Sequence, residues 1–189
     1  MSNSLSITTT SANRAMRATG AMFFSGFGGA WLALWVYKLF GFMPIPMAVI
    51  AALTALLLFY AHRVYRLHEA ALKSEAESPK RKAANRIFNI INIAQWVLVS
   101  VLGIGMANVG LSSWFIPAVI LVIGLHFLPL AHVFEYRPHY VTGFALIVLA
   151  LAYPQFALGG PEDPVGCLGT GLILWSSAIG GLVTPSRLP

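Results

Sequence analysis

Between Ile87 and Phe134 the chain runs 48 residues without an Asp, Glu, Lys or Arg. At a helical rise of ~1.5 Å per residue that run would be about 72 Å long, roughly twice the ~30 Å hydrocarbon thickness of a bilayer. One crossing cannot hold it, so the segment predicts two crossings with a turn between them. Four other charge-free stretches of spanning length accompany it. Hydrophobic residues make up 58% of the 189 and charged residues 10%, against a charged share of about 25% in soluble domains. A soluble core of this size could not hide so much apolar surface. The expectation is a single multi-pass membrane domain.

Six spans are expected at about residues 18–37, 46–62, 87–107, 114–131, 140–156 and 166–184. They leave a polar tail over 1–17, a basic connector over 63–86 and a short tail over 185–189. Gly41, Pro44 and Pro46 break the chain after the first span, Asn108, Gly110, Ser112 and Ser113 after the third, and Gly159, Gly160, Pro161 and Pro164 after the fifth. Only helices or closed barrels satisfy every backbone amide in lipid, and these runs are too long and unalternating for barrel strands. The predicted fold class is therefore all-α, a six-helix transmembrane bundle. Arg14 and Arg17 ahead of an apolar stretch look like the opening of a signal peptide. No Ala-x-Ala site follows, however, and Ala18–Tyr37 is long enough to span, so an uncleaved first helix is expected.

The net charge of +6 comes mostly from residues flanking spans, which points to membrane orientation and away from nucleic acid. Arg14, Arg17, the connector from Arg63 to Arg86, Arg137 and Arg187 fall on one side of six crossings. The other side holds Lys38, Glu162 and Asp163. Both termini are thus expected in the cytoplasm, with the chain in the inner (cytoplasmic) membrane. The connector reads as a helical extension of span two followed by a turn near Ser78–Pro79, with Glu69 and Lys73 at salt-bridge spacing. Its partners would be the bilayer and anionic lipid headgroups near its Lys and Arg side chains. A homo- or hetero-oligomer is left open. Cys167 is the single cysteine, so no internal disulfide can form and a small apolar role in span six is expected.

Chemistry concentrates in spans three and four. Asn85, Asn89 and Asn92 recur at spacings of four and three, with Ser100 and Gly103 on the same face and Gln95 at its edge. Carboxamides facing lipid would leave donors and acceptors unpaired, so this stripe should face the bundle as interhelical glue or as the wall of a solute pocket. In span four, Pro129 cannot donate to the Leu125 carbonyl, which weakens the helix one residue from His126. Asn92 and His126 fall at similar depth, and Thr142, Ser176, Ser177 and Thr54 in the same half of the membrane. The expected site is an inward-open polar pocket lined by Asn89, Asn92, Gln95, His126, Thr142 and Ser177. His132 and Glu135 are weak metal-ligand candidates because they share a helix face, while His126 lies on another and Pro138 interrupts the helix before His139. No Walker loop, zinc helix or nucleophile elbow occurs, so neither catalytic residues nor a cofactor are expected. Gly26–Gly29, and Gly166, Thr170, Ser177 and Gly181 in span six, read as close helix packing. Trp31, Trp35, Trp114, Tyr136, Tyr140 and Tyr153 read as interfacial anchors.

The segments Asn92–Trp96, Gly124–Ala131 and Tyr140–Gly143, with their Gly-Leu-His-Phe-Leu-Pro-Leu-Ala core, resemble a family of uncharacterised bacterial multi-pass membrane proteins. The resemblance covers about a third of the chain and implies a small inner-membrane protein, without an activity or site residue to carry over. The functional expectation is transport of a small solute or ion through the polar pocket. The alternative is a structural, sensory or accessory subunit, and an enzyme acting on lipids or isoprenoids ranks below both.

Overall fold

The computed structural model describes residues 2–76 and 78–184. Met1 and the 185–189 tail, with Arg187, lie outside them. Among the described residues the chain is helical throughout, with no strand. Six helices are present: α1 (Ser2–Phe40), α2 (Pro44–Ala76), α3 (Pro79–Asn108), α4 (Phe115–Val133), α5 (Pro138–Phe156) and α6 (Val165–Val183). Short 3-10 turns over Ser112–Trp114 and Gly160–Glu162 link α3 to α4 and α5 to α6. All six helices are long and apolar enough to cross a membrane, as a multi-pass membrane protein requires.

The boundaries follow from local chemistry. Ser78 caps α3, its hydroxyl accepting from the Arg81 amide at 3.2 Å, and Pro79 takes the first helical position, where its missing N–H costs nothing. The turn expected near Ser78–Pro79 is therefore present, and α2 extends to Ala76 as the helical connector. Beside it Glu69 pairs with both Arg66 (2.9 Å) and Lys73 (2.7 Å). At the far end of α3, Gly110 adopts φ 74° so that the Leu111 amide can reach back to the Met106 carbonyl at 2.8 Å.

The first helix departs from expectation. It begins at Ser2, well before Ala18, and its spanning stretch runs from Thr10 to Phe40. The reason is a face of small residues: Ala12, Ala15, Ala18, Ala21, Ser25 and Gly28 are all buried and recur every three or four positions. Hydropathy hardly registers such a face, yet it lets neighbouring backbones approach closely. α1 packs between α2 and α6. The Trp175 indole N–H of α6 donates to the Ser25 carbonyl at 3.1 Å.

A second close crossing joins α4 to α5 at Gly124 and Gly143. A Cβ on Gly143 would stand 2.8 Å from the Gly124 carbonyl oxygen, and one on Gly124 would stand 2.9 Å from that of Gly143. Only glycine fits at this backbone-to-backbone contact. Of the expected packing glycines in α1, Gly28 meets α6 and Gly29 meets Thr54 of α2, whereas Gly26 has open space beside it.

α1, α4, α5 and α6 form the interior, and α2 and α3 are appended to it. α3 rests on α4 and barely meets α2, although one turn joins them. No residue in the most apolar stretch of α3 is buried, and very few are in α2. Large apolar side chains such as Phe42, Ile45, Val141 and Phe156 stand largely exposed around the outside. That surface suits lipid and would be a liability in water.

Candidate functional site

Because α3 stands off from α2, a groove of about 900 Å³ remains between α1 and α3, with α4 as its back wall. α3 contributes Asn85, Phe88, Asn92, Gln95, Trp96 and Val99. α4 contributes His126 and Phe127, α5 His139, and α6 Ser177. Met16, Arg17, Phe23, Phe24, Phe27 and Trp31 of α1 form the opposite wall, and Tyr65, Lys73 and Arg81 lie towards one end.

Of the residues expected here, Asn92, Gln95, His126 and Ser177 line the groove together. Thr142 does not line it but stands directly behind, buried, with its hydroxyl 2.8 Å from that of Ser177. Asn89 is exposed and lies outside the groove, as does Ser100, whose hydroxyl donates to the Trp96 carbonyl at 2.9 Å. Thr54 likewise donates to the Ile50 carbonyl at 2.7 Å and packs on Gly29, and Ser176 is exposed.

His139 is the site residue that sequence reasoning set aside. Pro138 does not end a helix there; it starts α5, placing His139 in the first turn facing α4. Phe127 contacts both imidazoles, its ring centroid 5.6 Å from that of His126 and 5.7 Å from that of His139. Phe24 and Tyr136 enclose His139 at 5.7 and 4.8 Å. His126 faces the Ile91 backbone of α3. The Nδ1 atoms of both histidines are buried, and no described group satisfies either. An unpaired buried polar atom costs ~1–3 kcal/mol, so a chain that keeps two around one phenylalanine calls for an explanation beyond packing.

At one end of the groove Arg17 ties three elements together. Its guanidinium donates to the Thr184 carbonyl at the end of α6 (2.9 Å) and lies over the Tyr136 ring, 5.4 Å from its centroid, in the α4–α5 turn. Burial pushes the Tyr136 phenol above its ordinary pKa, with Arg17 opposing. Arg81 donates to the Met16 sulfur at 3.0 Å.

His132 and Glu135 are exposed, and among the described residues no three His, Cys, Asp or Glu side chains gather closely enough to hold a metal. Tyr153, expected as an interfacial anchor, is buried instead. Its ring occupies the space over Gly166, where a Cβ would come within 2.5 Å, and its hydroxyl donates to the Pro161 carbonyl at 3.0 Å. Trp31 lines the groove. No protein-family model, curated protein or solved structure matches the chain, so the site's own geometry carries its reading.

Proposed function

We propose that this protein is a small carrier of the inner (cytoplasmic) membrane, with both termini in the cytoplasm, whose groove receives a small molecule from the cytoplasmic side. The single observation carrying this reading is convergence. Asn92, Gln95, His126, His139 and Ser177, from four helices, meet in one cavity of about 900 Å³ inside an otherwise apolar bundle. Polar groups held inside a membrane domain mark solute pathways more often than they mark lipid contacts, and the two buried Nδ1 atoms without a described partner strengthen the case. The orientation is supported by charge: the basic connector, Arg14, Arg17 and Arg137 group at one membrane face, against Lys38 at the other. The family resemblance of the His126–Ala131 segment is in keeping with this location.

The test combines accessibility with transport. Single cysteines at Asn92, Gln95 and Ser177, in a Cys167→Ala background, should react with an impermeant maleimide in inside-out vesicles and stay unlabelled in right-side-out ones. His126→Phe should abolish uptake or efflux without preventing insertion. Positions sealed from both sides would sink the reading.

The alternative of a structural or accessory subunit draws on a different observation: α2 and α3 bury almost none of their apolar stretches within one chain. A partner helix would cover them. Loss of a partner protein on deletion, with solute flux unchanged, would favour it.

A further inference from the structure

The charged residues lining the groove are Arg17, Lys73 and Arg81, and no described Asp or Glu joins them there. Lys73 is paired with Glu69, whose carboxylate it shares with Arg66. The other two are not paired with a carboxylate among the described residues. Of the five N–H donors a guanidinium carries, Arg17 commits one to the Thr184 carbonyl. Arg81 meets the Met16 sulfur, a weak acceptor. Both keep strong donors for an anion.

Away from this end the walls become aromatic. Phe23, Phe27 and Trp96 line the groove yet remain 56%, 49% and 52% exposed. Half-exposed rings within spanning helices mean that the groove opens sideways, towards the hydrocarbon, as well as at its cationic end. From Arg17 to Trp31 the α1 wall runs about 21 Å, and from Arg81 to Val99 the α3 wall runs about 27 Å. Both lengths pass the middle of a ~30 Å hydrocarbon core. A hydrophilic anion would use only the cationic end and leave the aromatic wall idle. A transmembrane helix from a second copy would cover the wall and leave the guanidinium groups unanswered. A molecule with an anionic head and a long apolar chain uses both.

We infer that the groove binds a membrane lipid with an anionic phosphate headgroup, admitted from the side where α2 and α3 barely touch. Arg17 and Arg81 hold the phosphate, and the chain lies along Phe23, Phe27 and Trp96. The inference rests on the groove being a ligand site and names the class of ligand.

Trp31 and Trp96 make the groove its own reporter. The full chain in phosphatidylcholine nanodiscs is doped with small increasing fractions of phosphatidate carrying brominated chains, which quench nearby indoles. Quenching should saturate with phosphatidate, and the Trp31→Phe/Trp96→Phe double variant should lose the saturable part. Brominated phosphatidylcholine at the same fractions should give only a shallow, non-saturating decline. Near-surface cations contribute about fivefold each to anionic lipid binding, so Arg17→Gln/Arg81→Gln should weaken apparent affinity about 25-fold. Arg17→Lys/Arg81→Lys, which keeps the charges, should retain most of it, and circular dichroism should show unchanged helix content.

Equal quenching by the two lipids, insensitive to the arginine variants, would overturn the inference. So would displacement by free glycerol 3-phosphate, which would make the site one for a soluble anion, or cross-links placing a second copy in the groove. Labelling of Asn92, Gln95 and Ser177 positions from the cytoplasmic side separates the two failures. If labelling persists while lipid selectivity is absent, the groove remains a small-molecule site and the lipid is wrong.

Discussion

Replacing Gly143 by Ala tests the α4–α5 crossing that sets His126 and His139 against the same Phe127 ring. The new Cβ would sit 2.8 Å from the Gly124 carbonyl oxygen, 3.1 Å from Leu128 Cδ2 and 3.2 Å from Phe127 Cβ. Inserting a methyl group into a filled contact costs ~1–3 kcal/mol. Here the first obstacle is backbone, which cannot rotate aside, so the upper part of that range applies, about 2–3 kcal/mol. Alanine recovers up to ~1 kcal/mol through helix propensity, leaving a net loss of about 1–2 kcal/mol. Gly26 supplies the control because a Cβ there meets nothing within 4 Å. Gly26→Ala should gain up to ~1 kcal/mol, so the two variants should differ by about 2–3 kcal/mol, roughly 30- to 150-fold in the folding equilibrium. Unfolding in mixed micelles titrated with sodium dodecyl sulfate, followed by tryptophan fluorescence, measures that difference. Equal stabilities for the two variants would refute the proposed crossing. A Gly143→Ala protein with intact transport would show that the spacing of the two histidines does not matter.

His126→Phe and His139→Phe each remove a buried Nδ1 without a described partner. His139→Phe should hold or raise thermal stability in detergent by up to ~1 kcal/mol. His126→Phe should fall about 1 kcal/mol below it because it also forfeits the Ile91 backbone interaction. Both should lose transport, whereas a stability loss above ~2 kcal/mol would assign the rings a structural role. Tyr153→Phe should cost about 1 kcal/mol by forfeiting the Pro161 bond, and Gly166→Ala should cost more because its Cβ would strike the same ring. Backbone amides of Val165 and Gly159 hold the Asp163 carboxyl below its usual range. A depressed folded pKa stabilises above the unfolded value of about 4 and is lost as pH falls through the folded value. The wild type should therefore lose more stability between neutral pH and pH about 3 than Asp163→Asn, and parallel pH profiles would refute this role.

What sequence alone can reveal divides along physical lines. Charge-free length exposes spans because any charge in hydrocarbon is costly, and the Ser78–Pro79 boundary is readable because capping is local. Faces are harder. At about 100° per residue, the groove-lining positions of α3 from Arg81 to Val99 occupy a sector of about 100°, with Asn92 near its middle. Asn89 and Ser100 fall about 20° and 40° beyond its edge, so a stripe drawn through the asparagines was rotated slightly off the true inward face. The buried face of α1 was hidden because alanine carries almost no hydropathy contrast. His139 is hard to place from sequence because a proline before a long apolar run can interrupt one helix or begin another, and Pro138 takes the first position of α5. That His139 and His126 share the Phe127 ring follows from the close α4–α5 crossing at Gly124 and Gly143, which no single-residue property announces.

The placement of α1 also sets a schedule for assembly. Its neighbours are α2, available at once, and α6, the last of the six helices to be synthesised. With about 125 residues between Phe40 and Val165, synthesis at ~5–20 residues per second delays the second partner by roughly ten seconds. During that interval the alanine face and the Ser25 carbonyl await Trp175, exposed to lipid or to whatever insertion factor attends the nascent chain. Truncation before α6 should therefore strand the first helix half-partnered, however early it was made.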